Sequence, residues 1–347
     1  MSLIGTLGIE IVLDGDRVRD VLISQPKPAP LDRLLGGRSP ADAPTIVRTL
    51  FPLCGNAQAA ACSAAIEQAL GVEPDSAASR KRTLLVTAEA LREHVGRIAV
   101  DWPVMLGETG YPAPFAAMHR IVRDLQAAVG RDPGNHISDP GIAPLVATAR
   151  AALSQLLFGD TDADFAAISV VASIERWAGA GRTPAARLMK RLLGDKPSKI
   201  TEAETGTPYA RHRASGVVKA IAAQHGELAA RIAARLVEAI GLLAVLESLA
   251  AGETPRSAIS AGRVNGPGSG WARVDVARGT LEHSTHLVDG RIVDYRIDAP
   301  TTAHFAPDGP ADRALRRLDA AVGGIEWRAR LTVLEFDPCV AHELRIS

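Results

Sequence analysis

Two segments at opposite ends of the chain carry the residues best suited to thiol or metal chemistry: Pro52-Leu53-Cys54-Gly55-Asn56-Ala57 and Asp337-Pro338-Cys339-Val340-Ala341-His342. In the first, a cysteine and a glycine stand at the mouth of an Ala-rich helical segment. A helix N-terminus stabilises a thiolate and lowers a thiol pKa. Glycine lets the backbone approach a bound group closely. The plainer alternative is that Cys54 is a small buried hydrophobe. In the second segment, Asp before Pro makes an extended or turn dipeptide. It ends a strand and presents Cys339 to whatever lies beyond. His342 follows three residues later. On a helical tail it would share a side with the cysteine and could ligate a metal or hydrogen-bond a ligand. The alternative is a frayed terminus.

Further groups lie between these ends. Arg278, within Asp275-Val276-Ala277-Arg278-Gly279-Thr280-Leu281-Glu282-His283, could aim its guanidinium at an anionic or hydrogen-bond-accepting ligand, or be an ordinary exposed arginine. In Ala299-Pro300-Thr301-Thr302 a rigid proline presents hydroxyl and backbone donors, or the four residues are a strand-ending turn. The glycine-rich stretch 262–270 lacks the lysine of a phosphate loop and the strand-to-helix context of a dinucleotide fingerprint. His94, His119, His136, His212 and His225 have no ligand spacing and read as surface or capping residues. His283 and His304 lie in or just after the Arg278 and Pro300-Thr301 segments and read as supporting residues. Cys62 reads as packing rather than as a ligand.

The elements that must position these groups are mostly helical. Alternating β-formers over residues 4–24, broken at Asp14-Gly15-Asp16, predict a hairpin. Residues 26–45, rich in Pro, Gly and Asp, read as a loop. Helices are predicted at roughly 57–70, 84–98, 113–129, 141–157, 163–178 and 183–193, with a long one over 215–251. From Arg273 the period returns to two, with a hairpin turn at Asp289-Gly290. Residues 309–322 read as a short helix and Leu331 to Phe336 as a last strand. The fold class is therefore α+β, mostly helical, with β-hairpins from both chain ends packed at one side of a helical body. We read residues 1–347 as a single domain: hairpin and loop over 1–50, helical body over 51–260, β region and tail over 271–347. Closing the ends together would bring Cys54 near Cys339.

Composition narrows the classes. Basic and acidic residues number 39 each, giving zero formal charge. That argues against nucleic acid, which needs a basic excess on one face. No apolar run is long enough for a membrane span, and Met1 to Asp14 shows no secretory signal. Three cysteines make a disulfide framework a poor reading and favour reduced thiols in the cytoplasm.

Taken in order and spacing, these segments resemble the large subunit of nickel-iron hydrogenases over nearly the whole chain. That family has Arg-X-Cys-Gly-X-Cys near its start, then Ala-Pro-Arg-Gly, Pro-Thr/Ser-Thr, and a final Asp-Pro-Cys-X-X-Cys-X-X-His. Leu35-Gly36-Gly37-Arg38 and Pro40-Ala41-Asp42-Ala43 match two further elements upstream. The departures are as informative. The resemblance puts Cys54 and Cys339 at the terminal nickel ligands. It puts Ala57 and His342 where the bridging cysteines belong, Ala61 and Arg345 at two family histidines, and Ile4 at a proton-relaying glutamate. Nickel needs its full soft thiolate set, so no nickel and no catalytic residues are expected.

The pattern is similar to the hydrogenase expression/formation proteins HupK, also called HoxV. Asp101-Trp102-Pro103-Val104-Met105-Leu106-Gly107 and the run from Glu204-Thr205-Gly206 to Ala210-Arg211-His212 also look like that family. The resemblance implies a maturation scaffold rather than an enzyme. It would transiently hold iron bearing cyanide and carbon monoxide through Cys54 and Cys339, with His342 or Cys62 as possible further ligands. Arg278, Thr301 and the backbone after Pro300 would hydrogen-bond the diatomic ligands. Implied partners are maturation chaperones and the hydrogenase large-subunit precursor. The competing readings are a divergent catalytic large subunit and a metal-free docking protein.

Overall fold

A computed structural model of the chain describes residues 5–27, 30–131, 141–195, 206–264, 266–321 and 323–347. Ile4, His136 and Glu204-Thr205, singled out above, lie outside the described residues.

The predicted N-terminal hairpin forms from β1 (Leu7–Asp14) and β2 (Arg17–Ser24). Strand alternation puts Leu7, Ile9, Ile11 and Val21 on one face, buried against Phe305, Leu315, Val333 and Phe336. The tail is neither helical nor frayed. It is strand β7 (His342–Ile346), parallel to β1, with Leu7 opposite His342 and Ile11 opposite Ile346. The sheet order is β2-β1-β7.

A second, antiparallel sheet runs β3 (Ile259–Arg263), β4 (Ser269–Val276), β5 (Gly279–Val288) and β6 (Arg291–Asp298), paired in that order. Two of its strands begin or end inside the glycine-rich stretch 262–270. Gly270 shows why glycine is needed there. A Cβ on it would collide with the backbone of Ala65 and Ala69, so its absence lets β4 lie directly on the helix Gly55–Leu70.

Helices Ser76–Gly96, Pro112–Arg131, Ile142–Phe158, Pro184–Gly194 and Glu227–Ala250 form the body. Their shared core includes Leu91, Trp102, Met118, Leu153, Leu188 and Leu236. The predicted long helix is broken. Gly226 at φ 87° and ψ 172° separates Gly216–His225 from Glu227–Ala250, a conformation that is essentially glycine-only. The stretch 26–45 is less open than its composition suggests, since it contains Leu31–Leu35 and the start of Ala43–Leu50. The expected last strand is instead the end of helix Ile325–Phe336. Leu331 and Leu334 face the helical core while Ala329, Val333 and Phe336 face the core under β1. Burial on two sides fills in the gaps of a helical pattern and leaves an apolar run that mimics a strand.

Candidate functional site

Cys54 is the N-cap residue of Gly55–Leu70, but its side chain makes no capping bond. The free N–H groups of that helix end are taken by Glu89, from the neighbouring helix Ser76–Gly96. Its carboxylate accepts from Asn56 N at 2.9 Å and Ala57 N at 3.0 Å. This overturns the expected lowering of the Cys54 pKa. The residue keeps some surface exposure, yet the protein crowds its sulfur, and desolvation pushes the thiol up to about 12. Arg278 pulls the other way, and the charges of Glu89 and Cys339 raise it further. Glu89 is itself raised to about 7 by burial, against the two backbone N–H bonds and the charge of Arg92.

Cys339 reaches the same place through an unusual turn. Asp337 ends helix Ile325–Phe336 in the left-handed conformation, φ 52°, and is fully buried. Its carboxylate meets Arg97 at 2.5 Å, Arg235 at 3.1 Å and Arg278 at 3.5 Å. Burial alone would raise its pKa, but these arginines hold it well below the ordinary carboxylate range. Arg97 also donates to the carbonyl of Pro338 at 3.2 Å. It sits in a π-helical turn, Arg97–Asp101, a wide turn that recurs at functional sites. Beyond it, the Thr301 hydroxyl donates to Cys339 Sγ at 3.3 Å and accepts from Cys339 N at 3.2 Å. Thr301 thus holds the cysteine itself, rather than offering a free donor to a ligand as expected. Pro300 is the first residue of helix Pro300–His304, which carries Thr301.

Arg278 ties the two ends together. It occupies the tight β4–β5 turn and is buried, not exposed. Its guanidinium bonds Glu93 Oε2 at 2.5 Å, and its backbone carbonyl meets His304 Nε2 at 3.0 Å. Its buried Nε is the atom that meets Asp337 at 3.5 Å, an ion pair without a hydrogen bond. Burial would lower its pKa, but Asp337, Glu93, Cys54 and Cys339 together raise it. One guanidinium therefore interacts electrostatically with both thiols, and the thiols interact with each other.

His342 does not join them. Parallel pairing with β1 carries it away, and it lines a groove with Asp101, Met105, Trp327, Arg330 and Leu334. Among the described residues no group of three His, Cys, Asp or Glu is placed to hold a metal ion. Cys62 is buried on helix Gly55–Leu70 beside Tyr295 and Ile66. His119 is exposed, as read. His94 is not a surface residue: it is fully buried between Glu238 at 3.4 Å and Arg235 at 3.3 Å.

Sequence reasoning missed Glu89, Glu93, Arg97, Arg235 and Gln58. One signal was present. Glu89, Arg92 and Glu93 interrupt the largely apolar stretch 84–95 at helical spacing, and charges on a buried face are there to meet partners. Arg235, in the middle of an Ala- and Leu-rich helix, carries the same signal.

No protein-family model matches the chain. Curated relatives do. The chain is 30% identical to the hydrogenase expression/formation protein HupK of Rhizobium leguminosarum bv. viciae, covering 99% of this chain and 96% of the relative. It is 29% identical to HupK of Azotobacter vinelandii over 99% and 98% of the two chains. It is 25% identical to the expression/formation protein HoxV of Cupriavidus necator over 94% and 92%. Among solved structures, the nickel-iron-selenium hydrogenase of Desulfomicrobium baculatum aligns over 95% of each chain with a TM-score of 0.64 at 13% identity. That of D. vulgaris Hildenborough aligns over 94% of each with a TM-score of 0.61, also at 13% identity. At such identity the likeness is one of fold, the hydrogenase large-subunit fold. No helix among the described residues is long and apolar enough to cross a membrane. With that fold, and with end-to-end similarity to HupK proteins, the chain belongs to the HupK family of hydrogenase expression/formation proteins.

Proposed function

We propose that the chain is a scaffold that turns over no substrate. It holds iron bearing cyanide and carbon monoxide as cargo between Cys54 and Cys339, for hand-over to the hydrogenase large-subunit precursor with the help of maturation chaperones. The observation that carries this reading is the meeting of both chain ends at Arg278, which pairs with Asp337 beside Cys339 at 3.5 Å and acts electrostatically on both sulfurs. Two thiols from opposite chain ends that act on each other and on one buried cation are a pairing suited to two thiolates and a metal.

The donor set fits such a cargo. Soft thiolates suit iron of this kind. The Arg278 Nε–H faces Asp337 as an ion pair at 3.5 Å but makes no hydrogen bond, and a cyanide nitrogen is an acceptor that would satisfy it. The raised pKa of Cys54 means that loading must displace a proton. Proton competition and a two-thiolate grip favour release over permanent storage. With Ala57 and His342 at the bridging positions, the reading as a divergent catalytic large subunit has less support.

The test is to purify the chain anaerobically from a maturation-competent host, then record its infrared spectrum and iron content. Cyanide and carbonyl bands with bound iron are expected, and both should vanish in Cys54→Ala and Cys339→Ala. A protein without bands or iron whose cysteine variants still support hydrogenase maturation would instead be a metal-free docking protein.

A further inference from the structure

A line of buried polar side chains leads away from Cys54 into the molecule. Gln58, one turn along the same helix, places its amide Nε2 3.7 Å from Cys54 Sγ. Its Oε1 lies 2.9 Å from His283 Nε2 on β5. The other ring nitrogen, Nδ1, lies 2.6 Å from the Tyr295 hydroxyl on β6. Tyr295 in turn hydrogen-bonds Cys62. Gln58, His283 and Tyr295 are exposed by 2%, 0% and 4%. All three are buried, and among the described residues no charged group acts on His283.

With the Gln58 amide oriented as it stands, Nε2 toward Cys54, the chain of donors runs in one direction. A neutral imidazole has one N–H and one bare nitrogen. An amide oxygen can only accept, so Nε2 must carry the proton toward Gln58. Nδ1 is then bare and accepts from the Tyr295 hydroxyl. With its oxygen fixed by His283, the amide of Gln58 must turn its N–H toward Cys54. A buried amide left to itself could flip, presenting its oxygen to the sulfur and repelling a thiolate. We propose that Gln58 is a positioning residue for Cys54: its N–H is aimed at the sulfur and locked there by the His283 tautomer and the Tyr295 hydroxyl. Burial supports this by keeping His283 neutral, its pKa lowered to about 3.

The lock matters because a sulfur that gives up its proton to bind a metal gains an acceptor it did not have as a thiol. A pre-aimed donor meets that charge without rearrangement. This inference rests on the reading of Cys54 as a metal-binding sulfur. Its first test does not, because it is made on the metal-free chain and holds or fails whether or not iron is ever loaded.

That test is nitrogen NMR on the whole chain labelled with 15N-histidine, metal-free and with cadmium added. His283 should be neutral with its proton on Nε2 across about pH 6 to 8, with and without the metal. A proton on Nδ1, or a cationic ring, would overturn the proposal, since the amide of Gln58 would then face the other way. The second readout is the alkylation rate of Cys54 in a Cys62→Ala, Cys339→Ala background. Gln58→Leu should slow it by roughly tenfold, the worth of one hydrogen bond to a charged group. Tyr295→Phe, which does not touch Cys54, should slow it several-fold and give a mixture of His283 tautomers. An unchanged rate and an unchanged tautomer in Tyr295→Phe would show that no lock exists.

Discussion

Asp337 is the residue on which the geometry of the tail turns. It is buried, strained into positive φ, and shared by Arg97, Arg235 and Arg278. Replacing it with Ala leaves the buried guanidiniums of Arg235 and Arg278, and the partly buried one of Arg97, short of a counter-charge. Breaking a buried pair in this way costs about 3–5 kcal/mol, so Asp337→Ala should lower the urea midpoint sharply, and Asn should rescue it only in part. Glu89 makes a different prediction. Its folded pKa, about 7, lies above the ordinary carboxylate value, so the folded chain binds that proton more tightly than the unfolded one. The associated stability is full in acid and is lost as pH rises through about 7. Glu89→Gln should therefore flatten the fall in unfolding free energy between about pH 5 and 8, by on the order of 2 kcal/mol. An equal slope in the variant and the parent, measured by urea titration at both pH values, would remove Glu89 as the cause.

Among the elements, the junctions carry the strain. Gly226 joins two helices in a conformation closed to other residues. Gly226→Ala should destabilise the chain by about 1–3 kcal/mol, visible as a lower melting temperature with the site chemistry unchanged. Nothing in the apolar period of 215–251 reveals this break, because both helices present their apolar residues to the same core. Helix Ile325–Phe336 misled in the opposite sense: two cores, one on each side, made a helix look like a strand. The hairpins were legible because turn residues and strict alternation are local signals. Asp289 and Gly290 both take positive φ, 48° and 71°, as a tight hairpin turn requires.

At the scale of the whole molecule, the two chain ends are zipped by backbone bonds. Leu7 N donates to Ala341 O at 2.9 Å, and Ser347 N to Ile11 O at 3.0 Å. Cys339 is therefore held from both sides, by the arginines around Asp337 and by β7. Deleting residues 342–347 should free it. Alkylation followed by mass spectrometry should show Cys339 modified at least severalfold faster, with Cys62 still protected in its core. Equal protection of Cys339 in the shortened chain would mean that the arginine cluster alone fixes it.

The sequence by itself determined the class of the fold, the hairpins, most of the helical body and the pair of cysteines. Each of these is written in short-range periodicity, in turn residues, or in motif order along the chain. Only the tertiary structure decided the chemistry of the pair. Whether Cys54 is a thiol or a thiolate depends on how far its sulfur is desolvated and on Glu89, which lies 35 positions later in the sequence and claims the helix end first. Whether His342 sits with the cysteines depends on the strand it pairs with. Burial and long-range pairing are properties of the packed chain, and no local pattern encodes them.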